Sequence, residues 1–503
     1  MNSRNITGII AIAVTIILAL VVGVQLVTAQ FETIAISAAV AAMLICVALG
    51  RRVWMIIPFS YGLSLTFRVP GQPTTELLAQ GLFIGFTVLM FTIRKIDVRF
   101  RIGEIELWVI ALILMVGQVY FRNPVSVNIF GGDTVGGRSY IEFSIACAVF
   151  FLLSSYRIPV RELYWYLWLS IIGGILSFGL SVFGRFVPAV GSWYGASGGA
   201  TEGFSEGRDE FDVERATRIG FLGHAARDIS LWVSSFISPL KALIRPHWLG
   251  LILISIAFAT LSGFRINIGW VGLTYCAALL YRGGFPHFAV SAILGAIGLA
   301  FLAFVNAATP LPLNVQRSLS FLPGTWDPQI KHEAQQSTDW RVEIWEEVLL
   351  TDRWIRNKWL GDGFGFSRQE LELQLELRDA TNRHIRSISG LGTHRDAILA
   401  SADYHSGPVQ TIRMIGYVGL AVLLLAMFRL GVHAHRLMRA YRHTSWFPLT
   451  LFIGLPCIFY PIFFIFIFGT FQIGVTALLI SATMVRILQR NLPEPDTGAT
   501  VAA

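Results

Sequence analysis

The sequence predicts an all-α, polytopic integral membrane protein. Hydrophobic residues make up 54% of its 503 residues, charged residues only 14%, and the mean hydropathy is +0.62. An average soluble protein has about 25% charged residues. Apolar stretches long enough to cross the hydrocarbon core as helices recur along the whole chain. These stretches are continuous rather than alternating, which excludes a membrane β-barrel.

We predict 12 to 14 transmembrane helices, because two of the candidate segments, 53–67 and 229–244, are only weakly apolar. Arg4 and the apolar run after it resemble a signal peptide, but the run is longer than a usual signal core and favours an uncleaved anchor. The candidate spans are 7–28, 31–49, 53–67, 74–93, 105–120, 140–156, 163–186, 229–244, 248–263, 266–281, 284–306, 406–428, 446–465 and 467–488.

Lys and Arg residues concentrate in alternate connections, which orients the chain. The inner connections contain Arg51, Arg52, Arg94, Lys95, Arg99, Arg101, Arg157, Arg161, Lys241, Arg245, Arg282, Arg429, Arg436, Arg439 and Arg442. The short outer connections contain only Arg68, Arg122, Arg138 and Arg265. Both termini are therefore expected on the cytoplasmic side, with the spans embedded among membrane lipids. The net charge of +8 reflects topology and not a nucleic-acid partner.

The charge and composition divide the chain into six regions. Two outer regions interrupt the helical pattern, and the second is the only large hydrophilic module. The regions are N-terminal spans at 1–186, a periplasmic loop at 187–228, core spans at 229–306, a large periplasmic loop at 307–405, C-terminal spans at 406–490 and a disordered tail at 491–503.

The large outer loop contains two predicted helices. Residues 339–359 are expected to form an amphipathic helix with Asp339 as its N-cap, with Arg341 and Trp345 on one face. Residues 368–383 alternate charge and leucine, which favours a second, soluble helix. The GDGFGFS segment between them lacks the ending of a phosphate-binding loop, so a tight turn is the default interpretation.

Four polar residues lie beside apolar runs on the predicted outer side: Arg218, Arg265, Arg341 and His405. Each alone has an ordinary interpretation as a loop charge, a membrane anchor or a helix-entry residue. Together they suit a doubly anionic, lipid-linked substrate and one proton transfer, because arginine binds phosphate and histidine is the usual general base. Arg413, inside an apolar helix, is either a substrate ligand or a buried structural partner.

No cofactor or metal is predicted. The sequence has no DxD motif, no Walker motif and no glycine-rich dinucleotide loop. Its four cysteines all fall in apolar spans without metal-ligand spacing, which is typical of small buried hydrophobic residues.

Together the motifs resemble those of the O-antigen ligase and O-antigen polymerase superfamily of bacterial envelope proteins. One matching motif is Ser262-Gly263-Phe264-Arg265, and a second is Arg218-Ile219-Gly220. A third motif consists of Arg341 and Trp345 followed by Gly361, Gly363 and Gly365. A fourth consists of His405, Gly416 and Gly419. The resemblance covers roughly residues 215–430. Ser406 and Met414 depart from the family pattern, which puts the acceptor in doubt.

The resemblance implies a metal-independent, inverting glycosyltransferase that uses undecaprenyl-diphosphate-linked oligosaccharides on the periplasmic face. Arg265 and Arg341 would stabilise the diphosphate, His405 would deprotonate the acceptor, and Arg218 and Trp345 would help to bind substrate. The acceptor would be another lipid-linked glycan in a polymerase, or lipid A core in a ligase. A flippase and a chain-length regulator of the same pathway are possible partners. An alternative of another class is a lipid-linked glycan transporter, for which ionisable groups near the bilayer midplane would be expected.

Overall fold

A computed structural model of the chain describes residues 42–68, 72–96, 100–125, 134–187, 191, 194–196, 219–367, 399, 402, 404–466 and 469–494. Several predictions lie outside these residues: the first span at 7–28, the helix at 368–383, most of the C-terminal tail, and Arg218.

The described chain is almost entirely helical. The helices are α1 (Ala42–Leu63), α2 (Thr75–Thr92), α3 (Glu104–Arg122), α4 (Gly137–Ser154), α5 (Tyr164–Phe186), α6 (Gly220–Phe236), α7 (Pro239–Ala242), α8 (Pro246–Leu261), α9 (Arg265–Ala308), α10 (Leu313–Leu319), α11 (Pro328–Leu350), α12 (Gly407–Ala440), α13 (Phe447–Phe466) and α14 (Phe471–Asn491). The strands are β1 (Leu65–Phe67), β2 (Thr134–Val135), β3 (Tyr194–Ala196) and β4 (Phe366–Ser367), paired β1 with β3 and β2 with β4, both antiparallel.

Within the described residues, nine helices are long and apolar enough to cross a membrane, and α8 is a shorter apolar helix. This confirms an all-α, multi-pass membrane protein. The number differs from the predicted 12 to 14 partly because this count takes two kinked segments, α1 and α9, as one helix each. Residues 42–49 and most of the predicted span 53–67 fall in α1, and the predicted spans 266–281 and 284–306 lie on either side of the break at Gly284 in α9.

Both interrupted helices contain a glycine in a conformation that other residues rarely adopt. Gly50 has a φ of 52° and begins a 3-10 stretch, Gly50–Met55, inside α1. Gly284 has a φ of 74° and divides α9 beside Arg282. The predicted span 53–67 is too long, because Ser64 adopts a left-handed conformation and the following residues form β1.

The predicted boundary between an outer loop at 187–228 and a span at 229–244 is wrong. A helix, α6, begins at Gly220 and ends at Phe236. Its buried face consists mainly of Gly223, Ala226, Ser230 and Val233, at helical spacing. Small residues let helices approach closely in a membrane but contribute little hydropathy, so an apolar-run criterion misses the first half of this helix.

The amphipathic helix predicted at 339–359 is also displaced. It is α11, Pro328–Leu350, so Asp339 lies inside it and is not its N-cap. The N-cap is Asp327, whose Oδ1 accepts from the backbone N–H groups of Gln329 and Ile330 at 2.9 and 3.1 Å. A proline at the first helical position reinforces this start, since it has no N–H to satisfy.

Helix ends that are predicted to lie on the inner side of the membrane are found together at one end of the bundle. At the end predicted to be inner, Glu106 is only 2% exposed and pairs with Arg486 at 2.6 Å and Arg490 at 2.9 Å. Glu104 pairs with Arg429 at the same end, joining α3, α12 and α14. The predicted inner loop at 429–442 is instead mostly the last turns of α12, which continues to Ala440.

We predict that the end carrying α11 faces the periplasm. A reporter active only in the periplasm, fused after Gly324, should be active, and the same reporter fused after Arg442 should be silent. Both positions lie in turns, so neither fusion interrupts a helix. Reversed activities would contradict the orientation on which the site depends.

Candidate functional site

Arg265 is placed by a tight turn between α8 and α9. Gly263 has a φ of 74°, which favours glycine at this position. Ser262 is fully buried, and its Oγ accepts from the Nδ2 of Asn267 at 2.9 Å. The backbone N–H of Ile219 donates to the Ser262 carbonyl at 3.0 Å, which fixes the start of α6 against the same turn. The Ser-Gly-Phe-Arg motif is therefore a helix-to-helix turn that presents Arg265 as the first residue of α9.

The contacts of Arg265 leave its charge largely uncompensated. Its Nη2 donates to the Ser320 hydroxyl at 2.9 Å, and its Nε donates to the Arg317 carbonyl at 3.5 Å. Both acceptors are neutral, and Arg265 forms no ion pair within the described residues. Arg317 also acts on it electrostatically as a second positive charge.

Two hydrogen bonds hold the segment at the start of α11 against α9 and α10. The Nδ2 of Asn306, near the end of α9, donates to the Thr325 carbonyl at 2.6 Å. Gln316 of α10 accepts from the backbone N–H of Asp327 at 3.0 Å. Because Asp327 is the N-cap of α11, these bonds fix where that helix starts and in which direction it runs.

Arg341 lies on α11 within electrostatic reach of Arg265. Partial burial lowers the pKa of the Arg341 guanidinium, and the nearby positive charge of Arg265 lowers it further. Two of the predicted site arginines are thus brought together from segments far apart in the sequence. The repulsion between them would be relieved by a bound anion.

Trp345, one turn after Arg341, connects α11 to the histidine. Its Nε1 donates to the carbonyl oxygen of Tyr404 at 2.8 Å. Tyr404 is buried in a small core with Ile344, Val348 and Ile412. The next residue, His405, has a φ of 50°, a left-handed conformation uncommon for a residue other than glycine. The described contact of Trp345 therefore positions His405; its predicted contact with substrate stays a prediction.

His405 immediately precedes the N-cap of α12. Ser406 is that N-cap, and its hydroxyl accepts from the backbone N–H of Val409 at 3.5 Å. Strained backbone conformations concentrate at functional sites, where the surrounding structure holds them. Here the Trp345 hydrogen bond on one side and the capping serine on the other supply that restraint.

Arg413 lies one turn and a half into α12 and is only 5% exposed. Its Nη1 donates to the Gly363 carbonyl at 2.8 Å, its Nη2 donates to the Gly365 carbonyl at 3.4 Å, and its guanidinium lies over the ring of Phe366 at 5.6 Å. These contacts are structural. Its assignment as a substrate ligand stays a prediction.

The GDGFGFS segment is more than a connecting turn. α12 is interrupted at Gly416, with a φ of 76° and a ψ of 178°. The backbone groups released there bond to residues 358–363: Asp362 N to Arg413 O at 2.8 Å, and Tyr417 N to Lys358 O at 2.8 Å. A Cβ on Gly361 would lie 2.6 Å from the Ile415 Cα, so only glycine fits this approach. The glycines Gly361 and Gly416 are therefore needed at the same contact.

Two arginines in this region were assigned no site role from the sequence. Arg122, at the end of α3, donates to the carbonyls of Leu360 and Gly361 at 2.9 and 2.7 Å, and so helps to hold the same turn. Arg227 lies inside α6, in a stretch predicted to be loop. The periodicity of small residues around it was the available signal.

The arrangement can bind an anion and hold a titratable side chain beside it. Arg265 and Arg341 supply positive charge, while Trp345 couples the position of Arg341 to that of His405. Among the described residues, no group of three or more His, Cys, Asp or Glu side chains could hold a metal ion.

Comparison with known proteins does not identify the chain. No family model matches it, and no curated protein matches it either.

Proposed function

We propose that this protein is a membrane glycosyltransferase that moves a glycan from an undecaprenyl-diphosphate carrier to a hydroxyl acceptor on the periplasmic side. The observation that supports this most is the position of α11 between the turn that carries Arg265 and the segment that carries His405. Arg341 lies within electrostatic reach of Arg265, and Trp345, one turn later on the same helix, bonds to the residue before His405. A diphosphate leaving group and an acceptor proton need this combination of groups.

The proposed reaction exchanges one glycosidic bond for another. The acceptor hydroxyl attacks the anomeric carbon, the bond from that carbon to the diphosphate oxygen breaks, and the lipid diphosphate leaves with the electron pair. His405 takes the proton of the acceptor. Arg265 and Arg341 stabilise the charge that develops on the diphosphate, which arginine can do through paired N–H donors. No metal ion is required, because the guanidinium groups supply the positive charge.

We propose a polymerase, in which the acceptor is a second lipid-linked repeat. The support is the resemblance together with the large outer segment between α9 and α12. Ligation to lipid A core is the alternative within the same chemistry, and partners such as a flippase or chain-length regulator belong to either pathway.

A strain lacking the gene distinguishes the two acceptors. For a polymerase, we expect surface glycan with one repeat and no long chains. For a ligase, lipid-linked chains would accumulate without being attached. An unchanged glycan profile would contradict both.

Arg265→Lys tests the geometry of the diphosphate site, because it keeps the charge but loses the paired donors. We expect transfer to fall about 30- to 1,000-fold, since one such contact in a dry site contributes roughly 2–4 kcal/mol to transition-state stabilisation. Arg341→Ala should fall by a similar factor. The matched control is Arg138→Lys, an arginine at the same end of the bundle that pairs with Glu142 at 2.6 Å. Equal rates for all three variants would contradict the assignment.

His405→Ala should abolish most turnover while retaining binding of the lipid-diphosphate donor, because the histidine acts on the acceptor. Wild-type turnover should rise with pH, because a general base acts only after it has lost its proton. This rise should be absent in His405→Ala. Normal product length and amount from this variant would count against a base role.

Trp345→Phe tests whether the tryptophan positions His405. Removing its Nε1–H should lower turnover several-fold, about the effect of one neutral hydrogen bond, with unchanged donor binding. Trp354→Phe is the matched control, since its Nε1 donates to the Glu347 side chain of α11 at 2.8 Å and not to the Tyr404 carbonyl. A loss of donor binding in Trp345→Phe would instead favour direct contact with substrate.

A further inference from the structure

A second group of polar side chains lies inside the bundle, below the turn that carries Arg265. It consists of His224 and Arg227 on α6, Trp270 on α9 and Tyr460 on α13. All four side chains are partly exposed, although α6 packs against α5, α8, α9 and α13. Polar groups at membrane depth are expensive, which makes such a cluster a candidate functional site.

The depth of this cluster follows from helix geometry. Ile219 is bonded to Ser262, so the start of α6 is level with the turn before Arg265. The Arg227 side chain runs back toward that end, because its Nε donates to the Gly223 carbonyl at 3.4 Å. The guanidinium is therefore near the level of Gly223, about one helical turn or 5–6 Å deeper than Ile219. A Cβ on Gly223 would lie 2.7 Å from the Asn267 Cγ, so α6 and α9 are in close contact at this depth.

The hydrogen-bond and ring partners of Arg227 among the described residues are neutral. Its Nη2 lies 3.1 Å from the Nδ1 of His224, and because arginine can only donate, that imidazole nitrogen accepts. Its guanidinium carbon lies 5.9 Å from the centre of the Trp270 ring. Arg227 has five N–H donors, and these contacts leave several available.

Asp228 is adjacent in sequence but faces another helix. A Cβ on Gly174 of α5 would lie 3.0 Å from its Oδ2. Asp228 and Tyr460 act on Arg227 electrostatically, yet no ion pair joins Arg227 and Asp228 in the described part of the chain. A guanidinium in the bundle with neutral hydrogen-bond partners would gain from a direct anionic ligand.

We propose that Arg227, with His224 and Tyr460, forms a second anion subsite about one helical turn deeper than the start of α6, which binds the phosphate nearer the lipid tail of a lipid diphosphate. The inference deepens the proposed function and rests on it. Arg265 and Arg341 lie at the outer edge and would hold the phosphate attached to the sugar. A subsite deeper than the start of α6 suits a ligand that enters the bundle with its lipid tail toward the membrane interior.

The subsite can be tested without turnover, by binding of geranylgeranyl diphosphate to the full-length protein in detergent micelles. We expect Arg227→Gln to weaken binding about tenfold, the effect of losing one charge-assisted contact. Asp228→Asn should bind as tightly as wild type or more tightly, because it removes a competing negative charge. Arg227→Lys, which keeps the charge, should lose less affinity than Arg227→Gln.

Unchanged binding by Arg227→Gln would overturn the subsite. An equal loss in Asp228→Asn would also overturn it, since the two residues would then be a structural pair. Inorganic diphosphate at the same concentration should not displace the lipid; equal displacement would show that the anion comes from solution and overturn the lipid assignment. Thermal unfolding of each variant identifies those that fail to fold, and Arg227→Lys then takes the place of Arg227→Gln.

This experiment separates the two proposals. If the wild-type protein transfers glycan but Arg227→Gln binds normally, only the subsite fails. If Arg227→Gln loses binding but the wild-type protein transfers no glycan, only the proposed function fails.

Discussion

The interruption of α12 at Gly416 is the constraint on which the outer half of the structure depends. A broken helix leaves backbone N–H and C=O groups that must be bonded within the protein, because an unpaired group away from water is costly. Residues 358–363 supply those partners, with Gly361 in direct contact with the break. Arg413 and Arg122 then hold the same segment through its carbonyls. As a result, residues 358–363, which follow α11, are held against the first turns of α12.

The placement of α11 explains how residues distant in sequence come to lie close together. α11 starts at a place fixed by Asn306, Gln316 and Asp327, and Arg341 on this helix lies within electrostatic reach of Arg265. One turn later, Trp345 bonds to Tyr404. The positive charge of Arg341 and the position of His405 are thus linked through one helix, α11. A site built on such an element holds its geometry better than one on a free loop.

The sequence predicts the class of the protein and the direction of its charge bias, because hydropathy and the placement of Lys and Arg follow directly from the bilayer. The sequence predicts the bounds of helices less well where small residues replace large apolar ones. α6 was partly assigned to a loop because its buried face is glycine, alanine and serine, and Arg227 and Asp228 were missed with it. The start of α11 was misplaced because both Asp327 and Asp339 could cap a helix, and only the contact of Gln316 with Asp327 distinguishes them. The pairing of Gly361 with Gly416 depends on tertiary contact, which no local pattern contains.

The location of Arg227 also bears on the transporter alternative. That alternative is expected to require ionisable groups near the bilayer midplane, whereas the Arg227 guanidinium lies only about one helical turn below the start of α6. The same arginine suits a transferase whose substrate keeps its lipid tail in the membrane. The two interpretations therefore differ in outcome: a transferase breaks the bond to the carrier, whereas a transporter moves the carrier intact.

Reconstitution of the purified protein in liposomes with an undecaprenyl-diphosphate-linked oligosaccharide, in excess EDTA, tests this difference most directly. A polymerase is predicted to give a ladder of longer lipid-linked glycans and one released undecaprenyl diphosphate for each new bond. A donor that crosses the bilayer unchanged, or a reaction that stops in EDTA and returns with magnesium, would contradict a metal-independent transferase.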